Sequence, residues 1–185
     1  MKAFHEDRDK APMSMPMTFQ AQADRLLWPL LALAAALIAL TSLVLTAWLD
    51  LSPCHLCIFQ RLLFMLLALF AVAAMPRNRF GLLAGGLFAV IAVVGIATAS
   101  YQSWLQLQPP DTVSCIGGEM GPIERLVEWL GVHLPALFMA TGFCEDNELV
   151  ILGLSLANWA LVMFAGMLAA ALWMLYTRAK SNRRV

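Results

Sequence analysis

The sequence predicts an all-α membrane protein: a bundle of four transmembrane helices with one long outer loop that contains a short amphipathic helix. Of its 185 residues, 61% are hydrophobic and 13% are charged, whereas soluble domains carry about 25% charged residues. Apolar runs that approach or exceed the length needed to cross a bilayer, about 20 residues, lie at 27–48, 56–75, 80–104 and 154–176. Backbone groups in lipid have no water to bond, so each run is expected to form a helix.

These runs divide the chain into three parts. Residues 1–26 are polar and are interpreted as a mobile cytoplasmic arm, residues 27–177 as the four-helix membrane domain, and residues 178–185 as a cytoplasmic tail. The first apolar run begins late and is too long for the h-region of a cleaved signal peptide, so we expect it to remain as an anchor. The formal net charge of zero gives no reason to expect nucleic acid binding.

Lysine and arginine residues lie almost entirely at one end of the predicted bundle. Four precede the first run, two lie in the turn at 76–79, and four follow the last run. At the other end Arg125 stands alone in a loop rich in carboxylates, namely Asp111, Glu119, Glu124, Glu128, Glu145, Asp146 and Glu148. Because positive residues favour the cytoplasmic side, both termini are predicted to be cytoplasmic and the connections at 49–53 and 106–153 to face outward.

The long outer loop contains one helical pattern. Apolar residues recur at positions 123, 126, 127 and 130, which is the spacing of one helix face. Such a helix either lies along the membrane surface or packs on other parts of the protein, and the sequence leaves both alternatives open. In either case it would tether the chain between Cys115 and Cys144.

Cys54 and Cys57 form a CxxC motif at the opening of the second apolar run. This spacing puts the two sulfur atoms about one helical turn apart, and the positive end of the helix dipole favours a thiolate at Cys57. The alternatives are an inert local bridge and a zinc site. Structural zinc takes four ligands, of which Cys54, His55 and Cys57 supply three at most, and an outward-facing, oxidising compartment favours disulfides. The motif therefore favours redox chemistry.

Cys115 and Cys144 are the other two of the four cysteines, and both lie in the long loop. Four cysteines allow three connectivities, of which a Cys54–Cys57 bridge with a Cys115–Cys144 bridge is the simplest. The second bridge is either a structural staple, worth about 3–4 kcal/mol on the chain-entropy model, or an exchangeable bond that an attacking thiolate reaches. The exchangeable bond is favoured by neighbouring glycines, namely Gly117, Gly118, Gly121 and Gly142.

Arg61 follows Cys57 by one helical turn and lies on the same helix face. An arginine at the centre of a membrane helix costs about 2.5–3.5 kcal/mol on insertion scales, and less near its end. Arg61 either extends to the outer interface or stabilises an anion, which would be the Cys57 thiolate or a bound electron acceptor. Further candidates for the walls of such a site are Gln60, Tyr101, Gln102 and Trp104.

Taken together, these residues resemble a known family. The matching segments are Pro53-Cys54-His55-Leu56-Cys57-Ile58-Phe59-Gln60-Arg61, then Leu105-Gln106-Leu107 with a proline ahead of Cys115, then Ala140-Thr141-Gly142-Phe143-Cys144, and Leu152-Gly153-Leu154 followed by Trp159. They resemble the disulfide-bond formation protein B (DsbB) family of bacterial inner-membrane thiol oxidases. The resemblance covers about residues 26 to 178, and it depends on the motif, the four helices and the distal cysteine pair in combination.

The resemblance implies a relay of disulfide exchange. A reduced periplasmic thiol oxidase of the DsbA type would attack the Cys115–Cys144 bridge and form a mixed disulfide with Cys115, and Cys144 would then attack Cys54. Cys57 would be released as a thiolate beside ubiquinone or menaquinone, and Arg61 matches the arginine that the family associates with the quinone. The resemblance also implies the bacterial inner membrane, with the cysteine-bearing loops in the periplasm.

Two departures from the family pattern leave the choice of partner open, whether a general oxidase or a dedicated one. The stretch after Cys115 is rich in glycine, and Gln60 stands where an acidic residue is familiar. Two other classes share some of these features: an enzyme like vitamin K epoxide reductase, whose active CxxC lies near the end of a later helix, and a non-catalytic membrane protein whose disulfides only staple its loops.

Overall fold

The computed structural model describes residues 17–108, 121–142 and 150–182. Four helices in these ranges are long and apolar enough to cross a membrane. They are α1 (Met17–Trp48), α2 (His55–Ala73), α3 (Arg79–Leu105) and α6 (Leu156–Asn182). The predicted fold class, a four-helix membrane bundle, is confirmed.

The connection between α3 and α6 contains the smaller elements. These are α4 (Pro122–His133), α5 (Pro135–Phe138), β1 (Val150–Ile151) and β2 (Leu154–Ser155). Helix α4 is the predicted amphipathic helix. Its Val127 is fully buried in a cluster with Ile58 of α2 and Phe138 of α5, so the helix packs on protein through this face. On another face Trp129 and Val132 are 58% and 75% exposed.

Helix α1 begins at Met17, ten residues before the predicted membrane run, so part of the predicted arm is helical. The added segment contains Gln and Ala residues, which have high helix propensity, and a helix can continue past the point at which its residues stop being apolar. Residues 1–16 lie outside the described ranges. At its other end the membrane-spanning part of α1 closes at Trp48, as predicted.

The C-terminal end of α2 and the N-terminal end of α3 are determined by the residues between them. Helix α2 stops at Ala73 because Pro76 lacks an N–H donor and disfavours the helical conformation in the residue before it. Asn78 then caps α3, since its side-chain Oδ1 accepts a hydrogen bond of 2.9 Å from the Gly81 backbone N–H. The turn between α2 and α3 is therefore short.

A small hairpin precedes α6 and was not predicted. Strands β1 and β2 are antiparallel, with Val150 opposite Ser155. The two turn residues, Leu152 and Gly153, have φ angles of 53° and 81°, the positive values that a two-residue hairpin turn requires. A leucine rarely adopts this conformation, so the local sequence gives little sign of the turn.

The bundle is held together by close packing of α2 and α6 against α3, and of α1 against α2. The phenyl rings of Phe64 and Phe164 stack with centroids 4.2 Å apart, and a Cβ atom at Gly95 would overlap the Phe164 ring. A small residue at this position of α3 therefore permits the close approach of α6. Helices α1 and α6 make few contacts with each other, which leaves space between them.

Candidate functional site

The CxxC motif lies at the N-terminus of α2. Cys54 is the N-cap residue, and its Sγ accepts a hydrogen bond of 3.4 Å from the Cys57 backbone N–H. The two Sγ atoms are 3.2 Å apart, compared with about 2.05 Å in a disulfide. A movement of about 1 Å would bring the two sulfurs to bonding distance.

The two sulfurs have different surroundings. Cys54 is 2% exposed and packs with Leu56 and Leu105. Cys57 is half-buried and contributes to the wall of a cavity inside the bundle. At the start of α2, the Cys54 sulfur therefore packs among apolar side chains, and the Cys57 sulfur faces the interior of the membrane domain.

Two glutamine side chains connect α2 and α3 beside these sulfurs. Gln102 Nε2 donates hydrogen bonds to Cys57 Sγ at 3.0 Å and to Cys54 Sγ at 3.6 Å. Its Oε1 accepts a hydrogen bond of 2.8 Å from Gln60 Nε2. Gln60 and Gln102 are 5% and 2% exposed, so this chain of amides is shielded from water.

The Arg61 guanidinium is enclosed by protein and is 4% exposed. Its Nε donates to Ser42 Oγ at 3.1 Å, and its Nη2 donates to Thr46 Oγ1 at 2.7 Å and to the Ser42 carbonyl at 3.4 Å. Its Nη1 donates to the Leu137 carbonyl at 2.9 Å. Arg61 therefore joins α1, α2 and the loop helix α5 below the CxxC motif.

A cavity of about 440 Å³ lies between these groups and the weakly packed pair α1 and α6. Its volume falls within the range of small-molecule sites. Its polar lining residues include Cys57, Arg61 and Gln102. The remainder is mostly apolar, and its lining includes Leu37, Leu45, Phe64, Leu156, Trp159 and Met163. The shape and chemistry suit a flat apolar molecule that carries polar oxygens at one end.

The loop returns to the CxxC motif at its outer side. The backbone N–H groups of Thr141 and Gly142 donate to the Pro53 carbonyl at 3.0 and 3.3 Å. A Cβ atom at Gly142 would overlap the Ser52 carbonyl oxygen. This segment therefore packs directly against the residues that precede Cys54, and only glycine permits so close an approach.

Five of the residues singled out from the sequence come together: Cys54, Cys57, Gln60, Arg61 and Gln102. Cys115 and Cys144 lie outside the described residues. The other two candidates do not line the cavity, because Tyr101 and Trp104 are half exposed and stack on each other with ring centroids 5.9 Å apart.

Two contributors were missed from the sequence, Ser42 and Thr46. Both are polar residues within an otherwise apolar run, and their spacing of four places them on one face of α1. That pattern is the signal by which they might have been found. The acceptor at Leu137 is a backbone carbonyl and leaves no trace in the sequence.

The fold and the site define a class of protein: a multi-pass membrane protein with a CxxC cysteine pair at the N-terminus of one span. The family model described as "Disulfide bond formation protein DsbB" matches residues 24–174, and the chain belongs to this family. It is accordingly a membrane disulfide bond formation protein, and membership of this family implies disulfide oxidoreductase activity.

Relatives named "Disulfide bond formation protein B" match most of the chain. The protein of Dechloromonas aromatica (strain RCB) is 42% identical over 123 residues, which are 66% of this chain and 74% of the relative. That of Azoarcus sp. (strain BH72) is 37% identical over 152 residues, or 80% and 89% of the two chains. That of Xanthomonas campestris pv. campestris (strain 8004) is 39% identical over 138 residues, or 71% and 77%.

Proposed function

We propose that the protein reoxidises a periplasmic thiol oxidase of the DsbA type and passes the electrons to a membrane quinone. The observation that carries this proposal is the position of the Cys57 sulfur, in the wall of a largely apolar cavity that lies between α1 and α6. A sulfur in that position can exchange electrons with a lipid-soluble molecule. Its partner sulfur, three residues earlier, lies on the side of the outer loop.

The cavity residues fit a quinone. The apolar walls match a ring and prenyl chain, and Arg61 in the lining supplies an N–H donor. Within the described residues, hydrogen bonds use four of the five N–H donors of Arg61, which leaves one on Nη1. The bound quinone, ubiquinone or menaquinone, would accept two electrons and two protons as the Cys54–Cys57 dithiol becomes a disulfide.

The outer loop supports the remaining exchange. Gly142 is held against the residue before the CxxC motif, and Cys144 follows it by two residues, a stretch that spans at most about 7 Å. In the proposed relay a partner thiolate attacks Cys115 and releases Cys144, and Cys144 attacks Cys54 and releases Cys57. The second thiolate of the partner then attacks the mixed disulfide, releases Cys115 and leaves as a disulfide. Cys115 attacks Cys144 and releases Cys54, so that the Cys54–Cys57 pair is left reduced by two electrons.

We also propose the orientation and the membrane. The bundle would lie in a bacterial inner membrane with both termini in the cytoplasm and the cysteine-bearing loops in the periplasm. The support is the distribution of basic residues, which gather at one end of the helices. At that end Arg178 donates through Nη1 to the Ala74 carbonyl at 2.9 Å. Ala74 lies close in sequence to Arg77 and Arg79.

The direct test of the function is a coupled assay. We expect the purified protein in lipid nanodiscs to oxidise many equivalents of a reduced DsbA-type protein when ubiquinone-1 is supplied, with one quinol formed for each partner oxidised. Without quinone we expect only the few equivalents stored in its own disulfides. A protein whose disulfides are structural would consume no quinone in either case, and that result would reject the proposal.

Replacing Arg61 tests the role of the guanidinium. We expect Arg61→Lys to raise the apparent quinone KM by about tenfold or more, because lysine keeps the charge but loses the planar fork of donors, and hydrogen bonds to charged groups contribute about 1.5–3 kcal/mol. Steady-state kinetics with varied quinone provides the measurement.

A matched control separates this effect from lost stability. Arg178 is also a buried arginine that donates to a backbone carbonyl, but it lies at the opposite end of the bundle and outside the cavity. Arg178→Lys should therefore leave the quinone KM unchanged even if it lowers thermal stability. If Arg61→Lys also leaves the KM unchanged, Arg61 serves only to join α1, α2 and α5.

A further inference from the structure

We propose that Gln102 is a catalytic residue that selects Cys57 as the sulfur released when the Cys54–Cys57 bridge is attacked, and that Gln60 is the residue that positions it. The proposal rests on the proposed function, since it concerns the exchange step at this bridge. It deepens that function by assigning a role to two neutral amides. The family comparison names neither of them.

The first step is the contact between the Gln102 amide and the two sulfurs. Gln102 Nε2 lies closer to Cys57 Sγ than to Cys54 Sγ, at 3.0 Å against 3.6 Å. A thiolate is stabilised by a hydrogen-bond donor, and in a site shielded from water that interaction is stronger than in bulk solvent. The donor is therefore placed to stabilise negative charge on Cys57 in preference to Cys54.

The second step is the orientation of the amide. A glutamine side chain has an acceptor at one end and donors at the other, and only its hydrogen-bond network determines which end faces a given atom. Gln60 Nε2 donates to Gln102 Oε1 at 2.8 Å. Because the Gln102 oxygen is held by Gln60, the Gln102 N–H groups are the ones that face the sulfurs.

The third step is the source of negative charge. When the Cys144 thiolate attacks Cys54 Sγ, the Cys54–Cys57 bond breaks and its electron pair goes to Cys57 Sγ. Attack on Cys57 would instead release Cys54. The rate of exchange depends on how well the leaving thiolate is stabilised, so the shorter hydrogen bond from Gln102 favours the first route. That route leaves the charge on the sulfur that lines the cavity.

Arg61 does not make this selection by direct contact. Its hydrogen bonds among the described residues go to Ser42, Thr46 and Leu137, and its charge acts on Cys57 only through space. Gln102 is the side chain from another helix that donates to the sulfur. Arg61 thus supplies positive charge at the cavity, and Gln102 supplies a hydrogen-bond donor directed at the Cys57 sulfur.

The test measures which sulfur carries an adduct. Full-length protein with Cys115→Ser and Cys144→Ser is oxidised to the Cys54–Cys57 bridge, treated briefly with 2-mercaptoethanol, quenched with acid and mapped by mass spectrometry. With Gln102 in place we expect the adduct mainly on Cys54. In Gln102→Leu the ratio of Cys54 to Cys57 adduct should fall by about tenfold, the loss expected for a hydrogen bond to a charged group.

A substitution at Gln60 distinguishes the proposed role of Gln102 from a purely structural role, because only the proposed role predicts a change in the adduct ratio. Gln60→Glu leaves an acceptor-only group beside Gln102, so the Gln102 amide should turn its N–H groups to Glu and its oxygen to the sulfurs. The adduct ratio should fall as far as in Gln102→Leu, and the double variant should fall no further, since Gln60 acts only through Gln102. If Gln102→Leu fails to fold, Gln60→Glu carries the same test.

Ser103→Ala is the matched control. Ser103 neighbours Gln102 on α3 and donates to Asn158 Oδ1 at 3.0 Å, without contact to either sulfur. Its adduct ratio should equal that of the parent. An unchanged ratio in both Gln102→Leu and Gln60→Glu would overturn the proposal. Because no quinone or protein partner enters the measurement, its result is independent of whether the coupled assay succeeds.

Discussion

Cys57→Ser should abolish quinone-dependent turnover. The serine hydroxyl is close in size to the thiol and the site is half-buried, so the fold should persist, but a serine oxygen forms no disulfide with Cys54. The variant can still oxidise about one equivalent of partner through Cys115 and Cys144 if these form the predicted bridge. We expect that single equivalent, no loss of quinone, and a thermal unfolding midpoint close to that of the parent.

Non-reducing gels and quinone absorbance measure these two quantities on the same sample. Full turnover by Cys57→Ser would remove Cys57 from the electron path and with it the role of the cavity. If the variant also fails to oxidise the first equivalent of partner, the result would contradict the prediction that Cys115 and Cys144 form a second pair that reacts separately.

Gly142→Ala should slow partner-driven turnover by about tenfold to a hundredfold, while the reaction of the reduced Cys54–Cys57 pair with quinone stays unchanged. The new methyl group would overlap the Ser52 carbonyl oxygen, and backbone cannot move aside as a flexible side chain can. The segment would lose its hydrogen bonds to Pro53 and with them its position beside the residue that precedes Cys54. A misplacement of about 1 Å can cost a reaction about a hundredfold.

Gly86→Ala is the control for this change. A Cβ atom at Gly86 has no neighbour within 4 Å, so the same substitution there should leave both reactions at parental rates. Stopped-flow measurement of the two half-reactions separates the effects. Equal slowing of both half-reactions in Gly142→Ala would indicate general damage, and parental rates in both would show that the docked loop segment has no part in exchange.

The sequence predicted the four spans because lipid imposes a simple rule: a helix must contain a long apolar run. It was less successful at the ends, where that rule does not act. Helix α1 begins at Met17 because helix propensity continues beyond the membrane edge. The hairpin at β1 and β2 was missed because strands of two residues have no periodicity to detect.

The same distinction between local pattern and tertiary packing applies to the residues of the site. The CxxC motif and Arg61 are neighbours on one helix, so their spacing alone placed them together. Ser42 and Leu137 reach Arg61 from α1 and α5, and such contacts arise only when distant segments pack. Gln102 was singled out as a candidate wall residue, but its bond to Gln60 spans two helices and could not be inferred from spacing.

The central claim is that the Cys54–Cys57 pair reduces a quinone held in the cavity between α1 and α6. The most direct measurement is a single turnover with protein that carries Cys115→Ser and Cys144→Ser, reduced, freed of reductant and mixed with one equivalent of ubiquinone-1. We predict one quinol formed for each protein and a Cys54–Cys57 disulfide in the mass map. Quinone that remains oxidised beside an intact dithiol would contradict the claim.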